Sequence, residues 1–295
     1  MARGPLIEEE VGHYHREGYV MVRSMFSNSE ISLLRSAAKD DKVLDDHGYG
    51  RADGEGGVVR LALWNHPGDG IYGMIARCRS IVDSCEKLLG GEVYHYHSKM
   101  VMKEPRIGGA WTWHQDYGYW YQNGVLFPLL TSVFIAVDRA TRENGCLQII
   151  PHSHELGRIE HVLTGDQAGA DNERVTEVLK VLPLVYAEME PGDALFFHPN
   201  LLHRSDQNRS GTPRWSMICC YNAARNNPYK ESHHPRYTPL VKVEDAAILE
   251  AGLTRFAEDS TDVSWLDPNR DFSAASLVDR PKPDPRSATD PPPEK

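Results

Sequence analysis

From about residue 92 to residue 222 the chain is a succession of short runs rich in Val, Ile, Tyr, Trp and Phe, divided by turn residues, at 92–104, 110–117, 129–138, 145–150, 182–188, 193–198 and 213–222. Segments this short satisfy their backbone groups only by pairing, and most have no helix between them to carry a parallel crossover. The pattern predicts a mainly β fold, an antiparallel barrel or sandwich. One stretch interrupts it. Residues 152–181 carry a helical pattern over 171–180, and an insertion of that length in a barrel is expected to act as a lid or substrate loop.

Ahead of the barrel the periodicity is helical. Residues 7–17 run from acidic to His-rich and stop at Gly18, which predicts a short helix, and 19–22 reads as a strand. Ser27-Asn28-Ser29-Glu30 has the form of a capping box in front of Ile31, Leu34 and Ala38, so a second helix should extend to about residue 39. Residues 40–58 contain Gly48, Gly50, Gly54, Gly56 and Gly57 and read as a mobile loop; a phosphate cradle would need a strand before it and a helix after it at set spacing. Over 71–89, Met74, Ile75, Ile81, Val82, Leu88 and Leu89 recur at helical intervals and close at Gly90-Gly91, giving one helix or two in succession. The Pro-rich 274–295 cannot bury enough apolar surface to fold alone and is expected to be extended or disordered. The organisation is therefore one domain over 1–273, with a helical part at 7–90 and a barrel core at 91–225.

The formal net charge of −10 argues against a nucleic-acid partner, which calls for a basic face. The N-terminus lacks an apolar targeting core and no stretch approaches 18 apolar residues, so a cytoplasmic location without membrane insertion is expected. Five cysteines, none in a C-x-x-C pair, read as buried free thiols.

Within 110–117 stands His114-Gln115-Asp116. Alternate residues of an extended chain share a face, so His114 and Asp116 can reach one ion. Two His and one carboxylate on one side of a metal suit Fe(II) and leave positions open for a cosubstrate and oxygen. With 14 His in the chain, a His-x-Asp triplet arises about once by chance, so the second imidazole decides the matter. Pro191-Gly192-Asp193 marks a turn before a buried-strand run ending at His198, and His203 follows. Either could supply it; His203 is preferred because it lies just past the turn, where a returning strand can aim it inward. Further on, Arg214 shares a strand face with Ser216 and Ile218. A buried guanidinium needs an anionic partner, which a dicarboxylate bound to the metal would supply as a bidentate pair; a surface pairing with an Asp is equally compatible with the pattern.

Four ordered motifs carry a resemblance. His114-Gln115-Asp116, the run from Asn144-Gly145-Cys146-Leu147 to Pro151-His152-Ser153-His154, Pro191-Gly192-Asp193, and His203-Arg204-Ser205 with Asn208 and Arg214 together resemble the phytanoyl-CoA dioxygenase family of Fe(II)/2-oxoglutarate oxygenases over most of 7–225. One departure is His152, where the family usually has Gly. The resemblance implies a double-stranded β-helix (jelly-roll or cupin-like) with flanking helices, iron on His114, Asp116 and His203, and 2-oxoglutarate on Arg214 with help from Ser205. Trp120 corresponds to a position lining the cosubstrate pocket in some members. It further implies hydroxylation of a small-molecule substrate with O2 and release of succinate and CO2, by a monomer or homodimer. Halogenation is excluded, since halogenating relatives lack the carboxylate that Asp116 provides.

Other candidates have plainer readings. Tyr94 to Ser98 lie on a strand whose alternate members face the barrel interior, with His95 or His97 as an extra metal ligand the lesser reading; His233 and His234 are expected at the surface, and Trp111, Trp113, Tyr119 and Tyr121 are core or pocket wall. Lys99, Lys103 and Arg106 form either a solvated face or a contact to an anionic substrate. Desaturation or epoxidation by the same chemistry, or a catalytically silent metabolite-binding protein, are the rival functions; a zinc hydrolase finds no H-E-x-x-H here.

Overall fold

The computed structural model describes residues 3–40, 42–53, 56–164, 167–254 and 264–267. The Pro-rich 274–295 and the domain limit near 273 lie outside these residues.

Helix α1 (Glu8–Glu17) ends where Gly18 takes the left-handed conformation, φ 83°, and its N–H returns to the Tyr14 carbonyl. A side chain there would meet the His154 ring at 2.5 Å, so the glycine is required both for the turn and for the packing. The chain passes into strand β1 (Tyr19–Val22) and then into α2 (Asn28–Asp40). The capping box forms: Glu30 accepts from the Ser27 N–H at 2.7 Å, and Ser27 Oγ accepts from the Glu30 N–H at 3.3 Å.

Residues 40–58 depart from the expected mobile loop. They form α3 (Lys42–Asp46) and β2 (Tyr49–Ala52), which pairs with β3 (Val58–Trp64). Gly48, Gly50 and Gly57 mark close approaches: a Cβ on Gly57 would lie 2.5 Å from Asp53 and 2.6 Å from Gly109. Two helices follow, α4 (Ile71–Arg77) and α5 (Arg79–Leu89), broken at Cys78, whose extended backbone bridges to Val243.

The rest of the chain supplies β4 (Val93–Lys103), β5 (Trp111–His114), α6 (Asp116–Trp120), β6 (Leu130–Ala136), β7 (Leu147–Ile149), the hairpin of β8 (His161–Thr164) and β9 (Gln167–Ala170), α7 (Asn172–Val181), β10 (Val185–Ala187), β11 (Ala194–Phe197), β12 (His203–Ser205), β13 (Arg214–Ala223) and α8 (Ala247–Leu253). Seven strands pair antiparallel in the order β1-β11-β6-β13-β4-β3-β2; four others form a second sheet, β10-β7-β12-β5. Three strands of the large sheet thus come from the part of the chain expected to be helical. The 152–181 insertion contains the β8-β9 hairpin as well as the expected helix, which Asp171 caps by accepting from the Arg174 N–H.

The large sheet is buried on both faces, and strand alternation sorts its side chains. Val133, Ile135, Phe196, Met217 and Cys219 face one way into a core shared with Leu34, Ile75, Ile81 and Leu88 of the helices. Phe134, Leu195, Phe197, Ile218 and Cys220 face the other way, toward Leu147, Ile149 and Ala187 of the small sheet. This is the two-sheet sandwich expected from the sequence. All five cysteines are buried and free. Among the described residues no helix is long and apolar enough to cross a membrane.

The Pro-Gly-Asp turn before β11 ties β1 to the large sheet. Gly192, φ 94°, leaves no room for a Cβ beside the Phe26 carbonyl at 2.6 Å. The buried Asp193 carboxylate accepts from the Ser24 N–H at 2.8 Å, the Glu190 N–H at 2.9 Å and Arg23 at 2.6 Å. Replacing Asp193 with Ala leaves two backbone donors without their acceptor and should lower unfolding free energy by about 2–4 kcal/mol in denaturant titration. A loss within about 0.5 kcal/mol, the usual range for surface substitutions, would show the turn to be held by the backbone alone.

Candidate metal centre

Strand β12 lies between β7 and β5, and its register sets His203 directly opposite His114. Directly opposed residues on one face of an antiparallel pair have closely spaced Cβ atoms, and here the two imidazole centroids are 4.0 Å apart. His114 gives its Nδ1 to the Thr112 carbonyl and His203 gives its Nδ1 to the Leu201 carbonyl, both at 2.9 Å. A carbonyl accepts, so Nδ1 carries the proton and Nε2 keeps its lone pair. Both Nε2 atoms lie near Asp116 Oδ1, at 3.8 and 3.9 Å.

Asp116 arrives by a route that strand alternation does not predict. The chain leaves β5 at His114, and Asp116 opens the short helix α6; the extended run expected over 110–117 stops early. Gln115, fully buried between them, fixes the turn. Its amide donates to the carbonyls of Gly157 and Asn200, its oxygen accepts from the Ile159 N–H, and its backbone N–H reaches His161. Ser132 on β6 donates to Asp116 Oδ2 at 2.6 Å, leaving Oδ1 toward the histidines.

His114, Asp116 and His203 are all buried, and among the described residues they form the one His/Cys/Asp/Glu group whose ligand atoms, all within 4.8 Å of one another, could hold a metal. The donor set fits Fe(II). Burial, reinforced by the neighbouring His203, holds the His114 pKa well below its ordinary value; burial also lowers that of His203, against the opposing pull of Asp116. Both rings are therefore neutral at pH 7, the form that ligates.

The triad opens into a cavity whose lining includes Trp120, Ser205 and Arg214. Arg214 is fully buried. It donates to Ser216 Oγ at 3.0 Å and to the Gly145 carbonyl at 2.9 Å, its Nε has no partner, and among the described residues no carboxylate pairs with it. Burial alone pulls its pKa down to about 10. The Asn-Gly motif provides its carbonyl: Asn144 Oδ1 caps the turn from the Thr141 N–H, and Gly145, φ 80°, could not carry a Cβ beside the Asp206 carbonyl at 2.3 Å. Trp120 stands edge-on to Tyr96 and His97.

Several residues fall elsewhere than the sequence suggested. His198 lies beyond the triad: Phe197 faces the cavity, so its neighbour points away, against Tyr14 and His154. His234 is buried, not at the surface; it stacks on His97 with centroids 4.4 Å apart and accompanies it along the cavity wall. Lys103 is not solvated but fully buried, opposite Arg214 in the sheet register, while Arg106 is exposed. Neither His95 nor His97 joins the metal group. His152 occupies the left-handed turn where the family has Gly, φ 64°, and pairs with Glu17. The bracing roles of Gln115 and Ser132 went unread in the sequence; for Ser132 the signal was parity, since it shares a strand face with Phe134 in an otherwise apolar run.

Comparison with known proteins agrees with this geometry. The family model for phytanoyl-CoA dioxygenase (PhyH) matches residues 14–216. The chain is 28% identical to the L-proline trans-4-hydroxylase of Streptomyces griseoviridis, covering 82% of this chain and 94% of that protein. It is 25% identical to the ectoine dioxygenase of Sphingopyxis alaskensis, covering 75% of this chain and 78% of the other. A crystal structure of EctD from S. alaskensis with 2-oxoglutarate and 5-hydroxyectoine superposes with a TM-score of 0.67 at 25% identity, covering 84% of this chain and 88% of that one, and carries the same sandwich. The buried His-Asp-His group has a donor set that suits Fe(II), and with the family model matching most of its length the chain belongs to the phytanoyl-CoA dioxygenase family as a 2-oxoglutarate-dependent non-haem iron dioxygenase.

Proposed function

We propose that the protein hydroxylates a small-molecule substrate, with His114, Asp116 and His203 as the protein ligands of iron and Arg214 as the anchor for the distal carboxylate of 2-oxoglutarate. The observation that carries this reading is the Arg214 guanidinium, buried without a carboxylate in the cavity onto which the triad opens. A charge in that position is stable only with an anion beside it. A dicarboxylate chelating the metal provides one.

Bound iron supplies the redox chemistry that cleaves 2-oxoglutarate to succinate and CO2 and delivers oxygen to the substrate. The protein's residues orient and exclude. The carbonyls of Thr112 and Leu201 fix the two rings, Ser132 fixes the carboxylate, and Leu61, Leu63, Val101, Phe134 and Ile218 line the cavity and keep water from it. Ser205 and Trp120 line the same space, suited to a hydrogen bond and a flat wall for the cosubstrate. L-Proline and ectoine, for which the two relatives are named, are small molecules, and a small metabolite is proposed here. Tyr49 and Arg51 of the 40–58 segment and Gln167 and Ala168 of the 152–181 insertion line the cavity, which supports both as determinants of substrate choice. Five free buried thiols favour the cytoplasm.

Anaerobic reconstitution with Fe(II), followed by oxygen and 2-oxoglutarate, should give succinate, and His114→Ala, Asp116→Ala and His203→Ala should each abolish it; near-normal turnover in any one overturns the ligand set. Losing a bidentate charge pair in a desolvated site costs about 2–5 kcal/mol. Arg214→Ala should therefore raise the 2-oxoglutarate requirement by about tenfold or more; a change confined to the primary substrate would move the arginine to the other pocket. Ser132→Ala should weaken Fe(II) binding about 10–100-fold in an anaerobic titration, as for other partners of metal ligands. Equal affinity in Ser132→Ala and wild type would show that Asp116 needs no brace.

A further inference from the structure

A β-bulge changes what strand β4 shows to the cavity. Along β13, Cys220 opposes His97 but Tyr221 opposes His95, so Tyr96 is an extra residue on β4. Before the bulge Tyr94 and Tyr96 face the inner core; after it the parity shifts by one. His97, Lys99, Val101 and Lys103 then all line the cavity, while Met100 and Met102 enter the helix-side core.

The cavity wall carries Arg51, Lys99, Lys103, Arg204 and Arg214, against Asp116 as its one carboxylate among the lining residues. Most of these cations have an occupation. Arg204 is paired with Asp206, Lys103 donates to the Asp206 carbonyl, and Arg214 is the anchor proposed for 2-oxoglutarate. Arg51 lies over the Tyr49 ring. With iron, Asp116 and 2-oxoglutarate in place, the charges of metal, ligand, cosubstrate and Arg214 cancel. Lys99 is left over: among the described residues it has no hydrogen bond and no ion pair. Its side chain nevertheless lines the same cavity as His97, His114 and His203.

Beside it, His97 is buried and its Nδ1 has no hydrogen-bond partner. The ring is held between His234, at 4.4 Å, and Trp120, at 5.9 Å between centroids. A buried polar atom without a partner in a cavity wall, next to a free cation, is a site awaiting a ligand.

Building on the reading above, we propose that Lys99 and His97 form the receptor for an anionic group of the primary substrate, and that this substrate is a small carboxylic acid. Lys99 pairs with the carboxylate and His97 completes its hydrogen bonding, which sets the remainder of the molecule against the metal.

The test uses the Fe(II)-loaded enzyme under nitrogen with saturating 2-oxoglutarate, so that Arg214 is occupied and a second acid can bind only elsewhere. Matched small acids and their primary amides, such as L-proline with L-prolinamide and benzoate with benzamide, are scored by the shift in melting temperature and, after oxygen is admitted, by succinate release. The acids should stabilise the enzyme and stimulate turnover in preference to the amides. Lys99→Met should weaken the best acid by about tenfold or more and erase the preference, and Lys99→Arg should keep it. The proposal is overturned by amides that match the acids, by a preference that survives in Lys99→Met, or by no acid engaging an enzyme that binds 2-oxoglutarate. Binding of 2-oxoglutarate itself, titrated first, reports separately: its failure strikes the functional reading and leaves the acid–amide comparison, run in its absence, to decide Lys99.

Discussion

The centre of the molecule depends on the pairing of two short strands, β5 and β12. Their register alone places His203 across from His114, although the two are far apart in sequence. A slip of one residue between the two strands would send one ring to the opposite face from the other. Three features hold the register: β7 pairs with the other edge of β12, the carbonyls of Thr112 and Leu201 lock each ring, and Gln115 clamps the loops that follow. The large sheet is comparatively indifferent to detail, being held by apolar alternation on both faces. The small sheet is where a change of geometry would be felt.

Placing positive charge in the cavity has an energetic consequence for the empty enzyme. Arg214 and Lys103 are directly opposed in the β13–β4 register, and like charges so placed are destabilising. Burial, with Arg214 adding to it, pushes the Lys103 pKa well below its usual value. Each of the two has a backbone acceptor beside it, the Asp206 carbonyl for Lys103 and the Gly145 carbonyl for Arg214.

Much of this was legible in the sequence. The strand succession after Gly91, the capping box at Ser27 and the glycine stop at Gly18 follow from local rules, and the structure contains each of them. The segment 40–58 misled because glycine was read as freedom, whereas Gly57 is required by the close approach of Asp53 and Gly109, and the strand that follows it pairs on its other edge with β4, later in the chain. His114 and Asp116 were paired for a partly mistaken reason: extended alternation accounts for His114, but Asp116 reaches Oδ1 toward the rings from the first turn of a helix. The burial of Lys103 and of His234 could not be read, since each owes its place to partners distant in sequence, Arg214 across the sheet for the one and the His97 ring for the other.

The bulge at Tyr96 illustrates why such residues escape a one-dimensional reading. Strict alternation from Tyr94, which faces the inner core, would send His97, Lys99, Val101 and Lys103 to the helix side, where four polar or branched residues would disrupt an apolar layer. One inserted residue reverses that, giving the helices Met100 and Met102 and giving the cavity its cations. A bulge is invisible to hydrophobic periodicity because both halves of the strand keep period two and only the phase changes. Its place, between two aromatic residues that pack inward and two lysines that line the cavity, divides one long strand into a part that builds the core and a part that builds the site. The phase of β4 thus ties the electrostatics of the cavity to the packing of the helices behind it.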